Sequence, residues 1–400
     1  MEILEQQSFS SLGLSDSLLQ ILASQGFEHP TPIQAQAIPP ALQGQDILGC
    51  AQTGTGKTLA FGLPLLQKLA GQKGPQALIL CPTREIALQS QEVLNKFSET
   101  LKVESLALIG GRGIVGQAKG IKKNPAILVA TPGRLLDHAH RKNLNLKDFR
   151  YCVLDEADHM FDLGFLPQVR EIVSKLPKSR QTLMFSATFP TEIERLARTF
   201  LKNPIKITVA PPGTAAERID HSLYLVDSSQ KRDAIVKLLE EETESTLIFT
   251  RTKLDAEWLY RLLEKKGHAV HALHSDRSQS ERIATLKKFK EGEYNMLVAT
   301  DVMARGIDIA GIGHVINYDI PQNPDDYIHR VGRTARAQAS GKASTLAIWR
   351  DKSYIEAIEK ILGSPIPRKT LEGILEHKEV KKAPPAFGRI GKKGARVRLR

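Results

Sequence analysis

Short, uninterrupted apolar runs recur along the chain, and between them apolar residues return every three or four positions. The runs in the first half are Asp46–Cys50, Ala77–Cys81, Ala126–Ala130, Tyr151–Leu154 and Thr182–Phe185. None alternates apolar with polar residues, so each predicts a strand covered on both faces, in a parallel sheet flanked by helices. The pattern breaks in the Pro/Gly/Ala segment Val209–Ala216, which reads as a linker. It then restarts at His221–Val226, Thr246–Phe249, His268–Leu273, Asn295–Ala299 and Val315–Tyr318, with helical stretches over 253–266 and 278–291. Leu254, Trp258, Leu259, Leu262 and Leu263 have helical spacing, which assigns Trp258 to a core. The expectation is an α/β protein with a first domain over 1–208, a linker over 209–217, a second domain over 218–365 and a tail over 366–400.

Length and composition agree with this division. Four hundred residues exceed one ordinary core, and 41% hydrophobic with 25% charged residues is a globular composition. No apolar run approaches the roughly 18–20 residues of a membrane span, and the first residues lack a secretory pattern, so a cytoplasmic protein is expected. Cys50, Cys81 and Cys152 lie in or at the ends of apolar runs and read as small buried hydrophobes. The histidines outside motifs are expected on the surface, and none has zinc spacing. The net charge of +12 is uneven: eight basic and no acidic residues fall between Lys381 and Arg400. Such a tail is expected to be disordered when free, either solubilising or touching nucleic-acid phosphates.

The candidate chemistry centres on Ala51-Gln52-Thr53-Gly54-Thr55-Gly56-Lys57-Thr58, between a strand-like run and a helix-like segment. Glycines let backbone N–H groups converge on phosphate, the helix N-terminus favours the anion, Lys57 can reach the β/γ-phosphates and Thr58 can hold Mg²⁺. The Tyr151–Leu154 run delivers Asp155 as a second metal residue and Glu156 to orient or deprotonate a water, favouring hydrolysis over transfer.

Asp155-Glu156-Ala157-Asp158 spells DEAD, and along nearly all of residues 9–350 the chain resembles the DEAD-box RNA helicase family. Ala51, absent from the general phosphate-loop pattern, is the residue that family usually carries. Gly26–Gln34 is similar to its Q motif, with Phe9 seventeen residues upstream of Gly26. A Gln34 amide can pair with the N6/N7 edge of adenine, and Phe27 or Phe9 can stack on the base, which implies ATP. Pro82-Thr83-Arg84-Glu85-Ile86-Ala87, Gly110-Gly111 and Thr131-Pro132-Gly133-Arg134 resemble first-domain RNA contacts, with Ile86 where the family usually has Leu. Ser186-Ala187-Thr188 resembles the motif linking hydrolysis to duplex separation; its hydroxyls could instead cap a helix. In the second half, Arg251, Gln279, Arg282 and Thr300 fall in motifs the resemblance assigns to RNA, and Asp308 in one assigned to the ATP ribose. Arg333 and Arg336 are its candidates for the γ-phosphate, with Asp158, His329, Ser186 and Thr188 as coupling residues. Ala335 stands where the family most often has Gly; a large ATPase change in Ala335→Gly would show that this matters.

The resemblance implies two tandem RecA-like domains with a disordered basic tail, similar to the short bacterial RhlE-like proteins. It implies an RNA-dependent ATPase that uses ATP and Mg²⁺ and locally unwinds short RNA duplexes, with RNA held mainly independently of sequence. An ATP-gated RNA clamp with little unwinding is the alternative. A DNA-translocating helicase and a small-molecule kinase fit less well. A monomer is expected, acting in ribosome assembly or an RNA-degradation complex.

Overall fold

The computed structural model describes residues 7–51, 54–188, 191–209, 219–240, 242–304, 312–334 and 341–375. Thr53, Asp308, Ala335 and Arg336, linker residues 210–217 and tail residues 376–400 lie outside the described residues.

The first domain opens with helices α1 (Asp16–Ser24) and α2 (Pro32–Leu42), then β1 (Ile47–Cys50), α3 (Lys57–Leu69) and β2 (Ala77–Leu80). It continues through α4 (Arg84–Leu101), β3 (Ser105–Leu108), α5 (Ile114–Ile121), β4 (Ile127–Ala130) and α6 (Pro132–His140). Strand β5 (Tyr151–Leu154), helices α7 (Ala157–Asp162) and α8 (Leu166–Lys175), β6 (Gln181–Ser186), α9 (Thr191–Phe200) and β7 (Ile205–Thr208) complete it. The second domain runs β8 (Ile219–Leu225), α10 (Lys231–Leu239), β9 (Thr246–Thr250), α11 (Lys253–Lys265), β10 (Val270–Leu273) and α12 (Gln279–Lys290). It ends with β11 (Met296–Thr300), α13 (Asp301–Ala304), β12 (His314–Asn317), α14 (Pro324–Val331), β13 (Gly341–Ala347) and α15 (Lys352–Leu362).

Both sheets are parallel throughout their described pairings, in the orders β3-β4-β2-β5-β6-β1-β7 and β10-β11-β9-β12-β13-β8. The continuous apolar runs have the reason anticipated for them. Along β2, Ala77 and Ile79 enter one apolar cluster while Leu78 and Leu80 enter another on the opposite face. In β9, Ile248 faces one layer and Leu247 and Phe249 the other. Strands β5, β6 and β1 are neighbours, so the loops after Leu154, Ser186 and Cys50 emerge side by side at their carboxyl ends.

Two local readings change. Trp258 packs partly buried against the core, with the Arg232 guanidinium 4.3 Å from its ring centroid, but Leu254 in the first turn of α11 faces outward. The chain after 365 also stays on the second domain at first: Ile366 is buried, Leu223 N–H donates to Pro367, and Leu371 and Ile374 pack on the core. Those aliphatic side chains and main-chain bonds move the start of any tail beyond Leu375.

Candidate nucleotide cleft and nucleic-acid face

The phosphate-loop geometry is built by two glycines. Gly54 and Gly56 both take left-handed φ values, 84° and 91°, which few side-chain-bearing residues adopt, and Gly56 caps the N-terminus of α3. Behind the loop, Ala51 N–H donates to the Ser186 carbonyl at 3.0 Å, tying it to β6. A cavity of about 280 Å³ opens in front, lined by Gly54, Gly56, Lys57, Thr58, Asp155, Glu156 and Phe27 among others. Lys57 and Asp155 are 6% and 4% exposed, yet Lys57 Nζ and Asp155 Oδ1 have no hydrogen-bond partner. An ammonium and a carboxylate oxygen left without hydrogen-bond partners at one buried surface are complementary to phosphate oxygens and a divalent cation. Burial raises the Asp155 carboxyl against the opposing pull of Lys57. Burial pushes Glu156 up as well, but the hydrogen bond from His159, then Lys57, His159 and Arg333 electrostatically, outweigh it and hold Glu156 below the usual range. Glu156 is therefore kept ionised.

The Q-motif glutamine has a second task. Gln34 is 3% exposed; its Oε1 accepts the Thr31 N–H at 2.9 Å and its Nε2 donates to the Gly56 carbonyl at 3.1 Å. A Cβ on Gly56 would sit 2.4 Å from that Nε2, so the glycine also admits the amide. One N–H and one lone pair remain for a base. Of the two candidate stacking rings, Phe27 is 37% exposed and lines the cavity. Phe9 is 4% exposed in the apolar core and does not, because its ring is committed to packing.

Asp158 joins the acidic loop to the Ser186–Thr188 segment. Its Oδ2 accepts from Ala187 N, Thr188 N and Thr188 Oγ1 at 2.9–3.1 Å, and its N–H donates to Ser186 Oγ at 3.2 Å. The helix-cap alternative holds for one hydroxyl: Ser186 Oγ accepts an N–H in the first turn of α7, while Thr188 Oγ1 donates to the Asp158 carboxylate.

On the adjoining face, Arg84 lies against Gly110 and Gly111. A Cβ on either would come within 2.5–2.9 Å of its guanidinium nitrogens, so the glycine pair makes room for the arginine. Arg134 donates to the Arg112 carbonyl at 2.8 Å, and Thr131, at the N-cap position of α6, donates its N–H to the Leu108 carbonyl at 3.1 Å, drawing these loops together. Pro82 is buried, Thr83 and Thr300 are half-buried, and Gly133 and Arg251 are exposed.

Gln279 and Arg282, expected at RNA, have a protein partner. Glu85 of the first domain accepts from Gln279 Nε2 at 2.9 Å and from the Arg282 guanidinium, and Arg84 Nη1 reaches Gln279 Oε1 at 3.4 Å. All three residues of the Glu85 contact are buried, so the charged arginine requires the carboxylate. Glu85 was missed in the sequence because its partners are about two hundred residues away. Arg333 is 5% exposed and acts electrostatically on Glu156 from the second domain; His329, half-buried, accepts from Arg333 Nε through its carbonyl at 3.3 Å. Arg330 is held inside its own domain, bidentate on Asp301 (2.5 and 2.7 Å) and bonded to Asn317 at 3.0 Å. The surface expectation for the histidines also fails at three positions: His138, His159 and His314 are at most 4% exposed, each hydrogen-bonded to a neighbour.

A DEAD/DEAH box helicase family model matches residues 31–196 and a helicase conserved C-terminal domain model matches residues 230–338. The chain belongs to the DEAD-box helicase family. It is 45% identical over 355 residues to the DEAD-box ATP-dependent RNA helicase CshA of Bacillus cereus, covering 88% of this chain and 68% of that protein. Its structure is similar to that of S. cerevisiae Dbp5 bound to RNA and ADP-BeF3, with TM-score 0.82 and 32% identity over 91% of this chain and 95% of that one. It is similar also to a doubly truncated Mss116p bound to single-stranded RNA and AMP-PNP, with TM-score 0.83 and 28% identity over 93% and 81% of the two chains. A DEAD-box protein from Methanococcus jannaschii is 37% identical over comparable coverage, 90% and 99%, yet scores 0.53.

Proposed function

We propose that this chain is an RNA-dependent ATPase that uses ATP to separate short RNA duplexes locally. The observation that carries the reading is a convergence: Arg333 of the second domain bears on Glu156 of the first, at the cleft where Lys57 Nζ and Asp155 Oδ1 have no hydrogen-bond partner. In this reading Lys57 and the loop N–H groups bind the phosphates, while Phe27 and the free capacity of Gln34 hold adenine. Thr58, Asp155 and Glu156 are the residues that would hold Mg²⁺, whose charge would neutralise phosphate oxygens. Glu156 orients the attacking water and accepts its proton; Arg333, with Arg336, stabilises charge on the γ-phosphate. Thr53 and Asp308 are proposed nucleotide contacts on the resemblance alone.

The second domain completes this site only when the domains meet, so RNA bound across both would promote hydrolysis. Arg84, Arg134, Arg251 and Thr300, with the loops at Pro82–Thr83, Gly110–Gly111 and Thr131–Gly133, form the proposed RNA face. Contacts to phosphate and 2′-OH would give little sequence preference. A monomer in the cytoplasm, acting on ribosomal precursors or within an RNA-degradation complex, completes the proposal.

The test is ATP turnover with RNA and with DNA of the same sequence, together with release of a short RNA duplex. RNA stimulation that disappears in Lys57→Ala, with duplex release requiring ATP, is expected. Equal stimulation by DNA would overturn the reading.

A further inference from the structure

His159, in the first turn of α7, is a buried polar side chain behind the cleft residue Glu156, and this mechanism leaves it without a task. Its ring is 4% exposed, and Nδ1 lies 3.3 Å from Glu156 Oε2. Its Nε2 is buried and has no hydrogen-bond partner. The ring's one hydrogen bond goes to Glu156. An ionised carboxylate can only accept, so Nδ1 carries the proton and donates.

Glu156 needs such a restraint. It takes φ 51°, in the left-handed region, immediately before α7, and its side chain leaves a backbone unlike its neighbours'. Lys57 and Arg333 also bear on it. Lys57 is aimed at phosphate in the proposed mechanism, and Arg333 arrives only with the second domain. His159 sits three residues on, in the first turn of the helix that Glu156 caps, so its contact needs neither nucleotide nor the second domain.

We propose that His159 is a positioning residue for ATP hydrolysis: its Nδ1–H holds Glu156 Oε2 and so fixes the orientation of the carboxylate that meets the attacking water. The proposal rests on the reading of Glu156 as the residue that handles that water.

The experiment compares His159→Asn, whose amide can donate from the position of Nδ1, with His159→Leu, which fills similar space without a donor. Steady-state ATPase with saturating RNA is measured for each, alone and combined with Glu156→Gln, with thermal melting as a check on folding. In His159→Leu, kcat is expected to fall about 10- to 100-fold, the cost of losing an orienting hydrogen bond to a charged group. KM for ATP and the melting temperature are expected to stay near wild type, His159→Asn to recover most of kcat, and His159→Leu to cost nothing further on the Glu156→Gln background. Wild-type kcat in His159→Leu would overturn the proposal, as would equal losses in the Asn and Leu variants or an undiminished effect beside Glu156→Gln. If wild type itself shows no RNA-stimulated turnover, the functional reading fails first, which distinguishes the two failures.

Discussion

Glu85 and Arg282 form a buried ion pair between the two domains, with side chains 3% and 8% exposed. Gln279 shares the same carboxylate. The bond exists only while the domains are together, so its energy belongs to closure and to neither domain's own stability. Removing one partner of a buried pair leaves the other charge uncompensated, at a cost of about 3–5 kcal/mol. Glu85→Ala should therefore disfavour the closed form by roughly 10²–10³-fold or more at fixed ligand concentration. The measurement is distance between dyes on the two domains with RNA and a nucleotide analogue. Each domain's melting temperature should hardly move. The exchange Glu85→Arg with Arg282→Glu should recover part of the loss.

Gln34 ties the start of α2 to the phosphate loop. Gln34→Glu keeps an acceptor for Thr31 N–H but loses the donor to the Gly56 carbonyl and places a carboxylate beside it. An unmet buried acceptor costs about 1–3 kcal/mol, so KM for ATP should rise roughly 10- to 100-fold. Titrating ATP under saturating RNA checks this; an unchanged KM with altered base preference would confine Gln34 to adenine.

Asp158 gathers three donors on one oxygen, and the main-chain N–H of His159 donates to the other at 2.9 Å. In Asp158→Asn one of these oxygens becomes an NH₂ facing donors, which should lower first-domain stability by about 1–3 kcal/mol. Duplex release per ATP hydrolysed should fall more than ATP turnover, because the lost bonds join the acidic loop to Ser186–Thr188. Parallel assays of both activities and thermal melting provide the check.

The second domain should weaken in acid. His314 is buried between Glu242, 2.5 Å from Nδ1, and Ser344, 2.8 Å from Nε2, with Glu244 and Lys342 nearby. Burial holds the imidazole below its ordinary 6.5, although Glu242 pulls the other way. The unfolded chain thus takes up this proton first, and stability falls as pH drops below about 6.5. Burial raises Glu242, but the Glu244 N–H and His314 outweigh it, so its contribution is present above its ordinary 4.5 and is lost at lower pH. His314→Gln cannot titrate and should flatten the dependence between about pH 7 and pH 5, measured by denaturant unfolding.

The two parallel sheets, the phosphate loop and the order of the acidic and arginine motifs were legible along the chain. They rest on local rules: runs buried on two faces, glycines at left-handed φ, and helices between most successive strands. Partners set by packing were not legible. Gln279 and Arg282 meet Glu85 across 194 and 197 residues, and no local periodicity encodes that meeting. Gln34 shows its hold on Gly56 only once α2 is laid beside the phosphate loop, and Phe9 and Phe27 differ only by which ring the core takes. His159, beside the acidic tetrapeptide, looked like a surface histidine until β5 and α7 buried it against Glu156. Which residues carry the chemistry follows from residue type and spacing. Which hold those residues in place depends on contacts between distant elements, and these exist only after the sheets and the two domains have come together.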